Sequence, residues 1–218
     1  MNKRSIKEKI YRLIILFIGL VIAHLGVTLF LLADLGADPF NVLIQGLFRQ
    51  LGRIPSFQWL THGIVHMAVC FLIIIALLFI DRSYIKIGTL VCMFCGGPII
   101  DFFTMILKNV INSNSGMVLR IIANVLGCVI LAYGMTIVIK SDAGTGPNDL
   151  VAVVISDKSH AKFSIIRIVV DAAFAAIGFF LGGKIGVGTI ICAFVVGPVA
   201  GIFLPINEKI IEKNIGKL

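Results

Sequence analysis

Charge is scarce in this sequence. Asp, Glu, Lys and Arg make up 14% of its 218 residues, whereas 59% are hydrophobic and the mean hydropathy is +1.07. A soluble domain holds about 45–50% apolar residues, so a chain this short of charge is not a water-exposed globule. The basic start MNKRSIKEKIYR is similar to the opening of a signal peptide. The apolar run behind it is too long, however, and no small-x-small cleavage site ends it, so the run is expected to stay as a span. No HExxH pattern and no nucleophile–base set occur. That absence argues against an enzyme and implies neither a metal nor a cofactor. The cysteines are few and odd in number (Cys70, Cys92, Cys95, Cys128 and Cys192) and all lie in apolar runs, which argues against a disulfide framework.

Long apolar runs are what the chain has instead. They cover 12–33, 57–80, 85–107, 117–139, 163–181 and 185–205, each near the ~20 residues that cross a hydrocarbon core. The expected fold class is therefore all-α: a polytopic membrane protein with six transmembrane helices. Two connections are too long to be turns, and 39–51 and 147–157 each read as a short helix of about three turns. Proline suits the first helical position, and Asp38 before Pro39 can cap the end. At ~1.5 Å per residue these helices cover about half a bilayer. An interfacial and a re-entrant placement both stay open.

Six spans put both termini on one side. That side carries Lys3, Arg4, Lys7, Lys9, Arg12, Arg82, Lys86, Lys140, Lys158, Lys162, Lys209, Lys213 and Lys217. The other carries Arg49, Arg53, Lys108, Arg120 and Lys184. The positive-inside rule then predicts cytoplasmic termini in a bacterial inner membrane. Basic ends facing anionic lipid account for the net charge of +8 without a nucleic-acid partner.

The chain repeats itself. A shift of 108 residues matches Arg12 with Arg120, Gly19 with Gly127, Gly26 with Gly134, Thr28 with Thr136, Asp34 with Asp142, Gly36 with Gly144 and Pro39 with Pro147. A shift of 100 aligns GTLVCMFCGGP (88–98) with GTIICAFVVGP (188–198). Three spans per copy would turn the second copy upside down, giving inverted-topology repeats, a plan common among secondary transporters. The expected organisation is one membrane domain: a basic N-terminus (1–11), a first repeat (12–107), a connection (108–116), a second repeat (117–205) and a cytoplasmic tail (206–218).

The stretches LGADPFNVLIQGL, DAGTGPNDL and GGKIGVGTIICAFVVGP resemble the YczE/YyaS/YitT group of bacterial integral membrane proteins, and most the YczE-like branch. The likeness runs from about Arg12 to Leu204. In similar proteins the stretch after the first span reads Gly, a small residue, then Pro and an aromatic. Asp38-Pro39-Phe40 fits, while the second copy has Asn148 in the aromatic place. The resemblance implies a multi-spanning protein and carries over no catalytic residues.

Polar residues within or beside the spans are the candidate substrate-binding set. Asp34 and Asp142 end their spans, with Gly36 and Gly144 two residues on. They are either solvated helix ends or a pair of ligand-facing turns. Asp38, Pro39, Asn41, Gly146, Pro147 and Asp149 sit at the starts of the short helices, where charge–dipole contact alone would account for the carboxylates. Acidic residues there favour a cation or zwitterion over an anion. His62 and His66 share a helix face, as a polar surface toward the partner repeat or a proton relay, and a metal would want further ligands. Arg167 and Asp171, four apart, are either a functional or a structural ion pair. Asp101 corresponds to Gly201 in the second copy and would make the site asymmetric. Cys92 and Cys95 form a CxxC, but Cys95 aligns with Val195, as a packing position would. Pro98 and Pro198 are expected to break their helices. The functional expectation is a small permease-like transporter of a small molecule or ion, with a non-transporting accessory or scaffold role as the alternative.

Overall fold

The computed structural model describes residues 5–161 and 163–215, and no side chain is described for residues 163 and 164. Lys3, Arg4, Lys162 and Lys217, counted above for orientation, lie outside the described residues. Eight α-helices follow in order: α1 (Ile6–Ala33), α2 (Pro39–Leu51), α3 (His62–Asp81), α4 (Ile87–Leu107), α5 (Met117–Ser141), α6 (Pro147–Ser159), α7 (Phe163–Phe180) and α8 (Val187–Ile215). No strand occurs among the described residues. Five helices, α1, α3, α4, α5 and α8, are long and apolar enough to cross a membrane. The remaining long helix, α7, has 18 residues and carries Arg167 and Asp171. Large apolar side chains such as Phe79 (87% exposed) and Phe180 (84%) point outward, which suits hydrocarbon as the surrounding solvent.

Local signals set the helix ends. Ser5 caps α1 by accepting from the Glu8 N–H at 3.1 Å. Thr61 does the same for α3 by accepting from Ile64. α1 and α5 finish alike: Asp34 (φ 50°) and Asp142 (φ 51°) adopt the left-handed conformation that closes a helix C-terminus. Gly36 (φ 116°) and Gly144 (φ 148°) then turn the chain through a region that L side chains rarely adopt. Their space is taken too, because a Cβ at either would strike backbone, of Gly186 and Thr189 or of Gly88 and Thr89.

The core is the α1–α5 pair, packed on small residues. Gly19 lies against Gly134 and Gly26 against Gly127, so the helices run antiparallel and their backbones touch. The chain ends of this pair are tied crosswise. Arg12 donates to the Ser141 carbonyl (3.0 Å), and Arg120 donates to those of Ala33 (2.7 Å) and Asp34 (2.9 Å). The Gly188 N–H reaches the Leu35 carbonyl (2.8 Å), and the Gly88 N–H reaches Ala143 (3.0 Å). α8 packs on α5, α4 on α1, and α3 on α4. α2 lies on α7, and α6 touches both α7 and α3.

Two expectations need correction. Pro98 and Pro198 do not break their helices, and α8 continues through Pro205 to Ile215, into the stretch expected to be a tail. In a membrane bundle the freed carbonyl can be satisfied by neighbouring groups, so proline need not end the helix. At the other end α1 starts at Ile6, so part of the basic N-terminal segment is itself helical. Finally, Cys128 on α5 and Cys192 on α8 form a disulfide. Packing brings their Cα atoms to 5.4 Å, within bridging range, and a sequence separation of 64 gives no sign of it. Cys70, Cys92 and Cys95 are free thiols, and Cys92 and Cys95 join an apolar cluster with Leu16 and Leu20.

Candidate functional site

Both linkers between a long helix and a short one dip into the bundle. The first leaves α1 at Asp34 and starts α2 at Asp38, beside residues from the middle of α1. α2 then returns, and Arg49 near its end pairs with Asp34 at 3.4 Å. The second leaves α5 at Asp142 and starts α6 at Pro147, beside Leu131 and Met135 of α5. Between the two helix starts lies a cavity of about 1060 Å³.

One wall of the cavity carries ionic groups. Asp38 caps α2, accepting from the Asn41 amide Nδ2 at 2.6 Å and from its backbone N–H at 3.4 Å. Burial pushes the Asp38 carboxyl above its ordinary range, and these bonds from Asn41 pull against that rise. Asp149, in the first turn of α6, accepts from Arg167 Nη1 at 2.6 Å. Arg167 also donates through Nε to Asp171 Oδ2 at 2.9 Å. The guanidinium thus bridges a short helix and α7. Toward one end of the cavity, Lys86 pairs with Asp142 at 3.0 Å. His24 and His66 meet edge to face deeper inside, with ring centroids 5.6 Å apart, and Phe40 packs on His66 at 5.5 Å. The remaining lining is mostly aliphatic, from Leu20, Val27, Leu131 and Val196 among others.

Eleven of the residues singled out in the sequence line this space: Asp38, Pro39, Asn41, His66, Asp142, Gly144, Gly146, Pro147, Asp149, Arg167 and Asp171. Four lie away from it, each with its own packing. Asp34 gathers Lys184 (2.6 Å), Arg49 (3.4 Å) and Arg120 (4.0 Å) at the end of α1. The carbonyl of Gly36 accepts from Asn124 at 3.3 Å. His62 meets Phe48 edge to face, their ring centroids 6.0 Å apart. Asp101 bonds Thr61 and the Gly63 N–H, so it ties the start of α3 to α4. Its asymmetry therefore acts on helix packing and not on the cavity wall.

Sequence reasoning missed His24, which lines the cavity from the middle of α1. An ionisable residue inside a span is itself the signal, and the rule that drew attention to His66 applies equally to it. Cys70, hydrogen-bonded to His66 at 3.9 Å, also faces the cavity with no sequence pattern to mark it out, as does Cys92 of the CxxC.

Comparison with known proteins agrees with the membrane character. Over 212 residues the chain is 28% identical to the uncharacterized membrane protein YczE of Bacillus subtilis (strain 168), covering 97% of this chain and 94% of YczE. It is 28% identical over 198 residues to the uncharacterized protein YyaS of the same organism, covering 90% of this chain and 94% of YyaS. An uncharacterized protein of Haemophilus influenzae is 27% identical over 199 residues, covering 90% of this chain and 84% of that protein. No solved structure matches. The model of a family of unknown function (DUF6198) matches residues 10–205, so the chain belongs to that family, as a membrane protein of the YczE/YyaS group.

Proposed function

We propose that the chain is a small transporter of the bacterial inner membrane that binds a small solute or ion in the cavity between two inverted repeats. One observation carries this reading: a cavity of about 1060 Å³ is lined by the starts of both short helices, which are counterpart positions in the sequence repeat. Pockets of roughly this size, apolar with a few convergent polar groups, suit small-molecule ligands.

The inverted arrangement is supported by contacts that recur under the sequence shifts. Gly19 meets Gly134 while Gly26 meets Gly127, so each copy touches the other through the same residue positions. The Gly188–Leu35 and Gly88–Ala143 bonds are likewise counterparts, as are the Arg12 and Arg120 ties. With α7 crossing as a sixth span, both short helices are re-entrant. Asp34 and Arg49 bracket the first on one surface, while its start reaches cavity depth. Charge placement agrees with cytoplasmic termini. Lys86–Asp142, Lys140–Glu208 and Lys158–Asp81 all join residues assigned to the cytoplasmic side, and Asp34 collects Arg49, Arg120 and Lys184 from the other. Access alternates as α7 moves against α8, a helix pair without close packing among the described residues.

The test is two-sided labelling. Asn148→Cys, with Cys70, Cys92 and Cys95 replaced by Ser, is exposed to a membrane-impermeant maleimide in right-side-out and in inverted vesicles. Reaction from both sides supports an alternating site. Reaction from one side alone would replace the transporter by a receptor or scaffold.

A further inference from the structure

Reading the cavity as a solute site leaves the chemistry of its occupant open, and the wall around Asp38 narrows it. Asn41 is only 4% exposed and lines the cavity, yet its Oδ1 has no hydrogen-bond partner. Its Nδ2 donates to Asp38 Oδ1, which fixes the amide orientation, since a flipped amide would set its oxygen against a carboxylate. The orphaned atom is therefore an acceptor, and a buried acceptor without a donor is costly. Charge points the same way. Asp38, Asp149 and Asp171 share this region with one guanidinium, Arg167, which both Asp149 and Asp171 already engage. A ligand here must supply positive charge and N–H donors.

The rest of the wall adds a second requirement. Leu20, Val27, Leu131 and Val196 offer aliphatic surface to whatever is attached to that charge. α7 and α8 both line the cavity but, among the described residues, do not pack closely on each other, whereas α3 and α4 do. The cavity is thereby flanked by a seam that these two helices do not seal.

We propose that the cavity binds a primary or secondary ammonium carried on an apolar body, with the ammonium donating to Asp38 and to Asn41 Oδ1. This rests on the solute-site reading and specifies its substrate class. The counterpart of Asp38 in the second copy is Gly146, so the ammonium has one seat and not two.

The probe is dansylcadaverine, a primary amine on an apolar fluorophore, compared with its N-acetylated, neutral form. Binding to the detergent-solubilised full chain is followed by fluorescence, with empty micelles subtracted. The amine should bind saturably and the acetylated form should not. Asp38→Asn keeps the helix cap and the shape but removes the charge, and should weaken binding about 10- to 100-fold. Asn41→Leu, which leaves the Asp38 side chain itself in place, should weaken it several-fold with an unchanged size-exclusion profile. Equal binding of the two probes, or wild-type affinity in Asp38→Asn, would overturn the assignment. Should the amine fail to bind while Asn148→Cys still labels from both sides, this inference falls and the transport site stands. Saturable amine binding with one-sided labelling would instead keep the ammonium site and remove transport.

Discussion

Along α3 and α4 the backbones of Gly63 and Gly97 touch, and Asp101 holds Thr61 and the Gly63 N–H across the contact. Along α7 and α8, built from the corresponding part of the second copy, a Cβ added at Gly197 or Gly201 would meet nothing within 4 Å. The sequence GTxxCxFxxGP is common to α4 and α8, so the apolar string does not decide which seam closes. One carboxylate marks the difference. Asp101 satisfies an orphan donor at the N-terminus of α3, and Gly201 has no side chain with which to do likewise. Two helix pairs that share this sequence string thus differ, one seam closed and one open, and Arg167 and Asp171 of the ionic wall lie on α7 of the open one.

Glycine substitutions should break this contrast most strongly. Gly97→Leu would drive a side chain into the Gly63 carbonyl, and overpacking of this kind costs ~1–3 kcal/mol or more. Gly197→Leu should stay within about 0.5 kcal/mol, as substitutions in open space do. Thermal unfolding in detergent measures both, and equal losses would mean that the two seams are packed alike. Next in size is the ionic wall. Arg167→Gln strands Asp149 and Asp171, and because these groups are a fifth to a third exposed the cost should be ~1–2 kcal/mol, below that of a fully buried pair. Asp101→Asn should cost ~1 kcal/mol and raise proteolysis in the segment before α3, since the clamp loses its charge but keeps its shape. The smallest effect belongs to Lys86→Ala. Its partner Asp142 and the lysine itself are about half exposed, so the loss should not exceed ~0.5 kcal/mol and should vanish at high salt.

Much of the frame is legible in the residues alone. The runs at 12–33 and 85–107 end where α1 and α4 end, because the C-terminal turn at Asp34 and the first charge after the run, Lys108, stop the apolar pattern. The short helix at 39–51 is marked by Asp38 and Pro39, a cap and a first-turn residue with a defined geometry. What a sequence does not express is distance. Asp34 and Asp142 look equivalent along the chain, yet Asp34 is surrounded by three cations at a helix end, while Asp142 lines the cavity. Cys128 and Cys192 both lie in the second half of the sequence but on helices with two others between them, so only the packing of α8 on α5 brings them together. Proline rules learned from water overstate Pro98 and Pro198, since a bundle can supply partners for the carbonyls they leave free.

The free seam is open to direct measurement. Spin labels at Ala68 and Phe94 report on the α3–α4 pair, and labels at Val169 and Phe194 report on its counterpart; all four positions are exposed. Pulsed dipolar spectroscopy on the reconstituted protein, with Cys70, Cys92 and Cys95 replaced by Ser, gives the two distance distributions. One fixed and one free seam should yield a single narrow distance for 68–94 and two populations for 169–194, whose ratio shifts when the amine probe is added. A single narrow distance for both pairs, unchanged by the probe, would contradict a free seam.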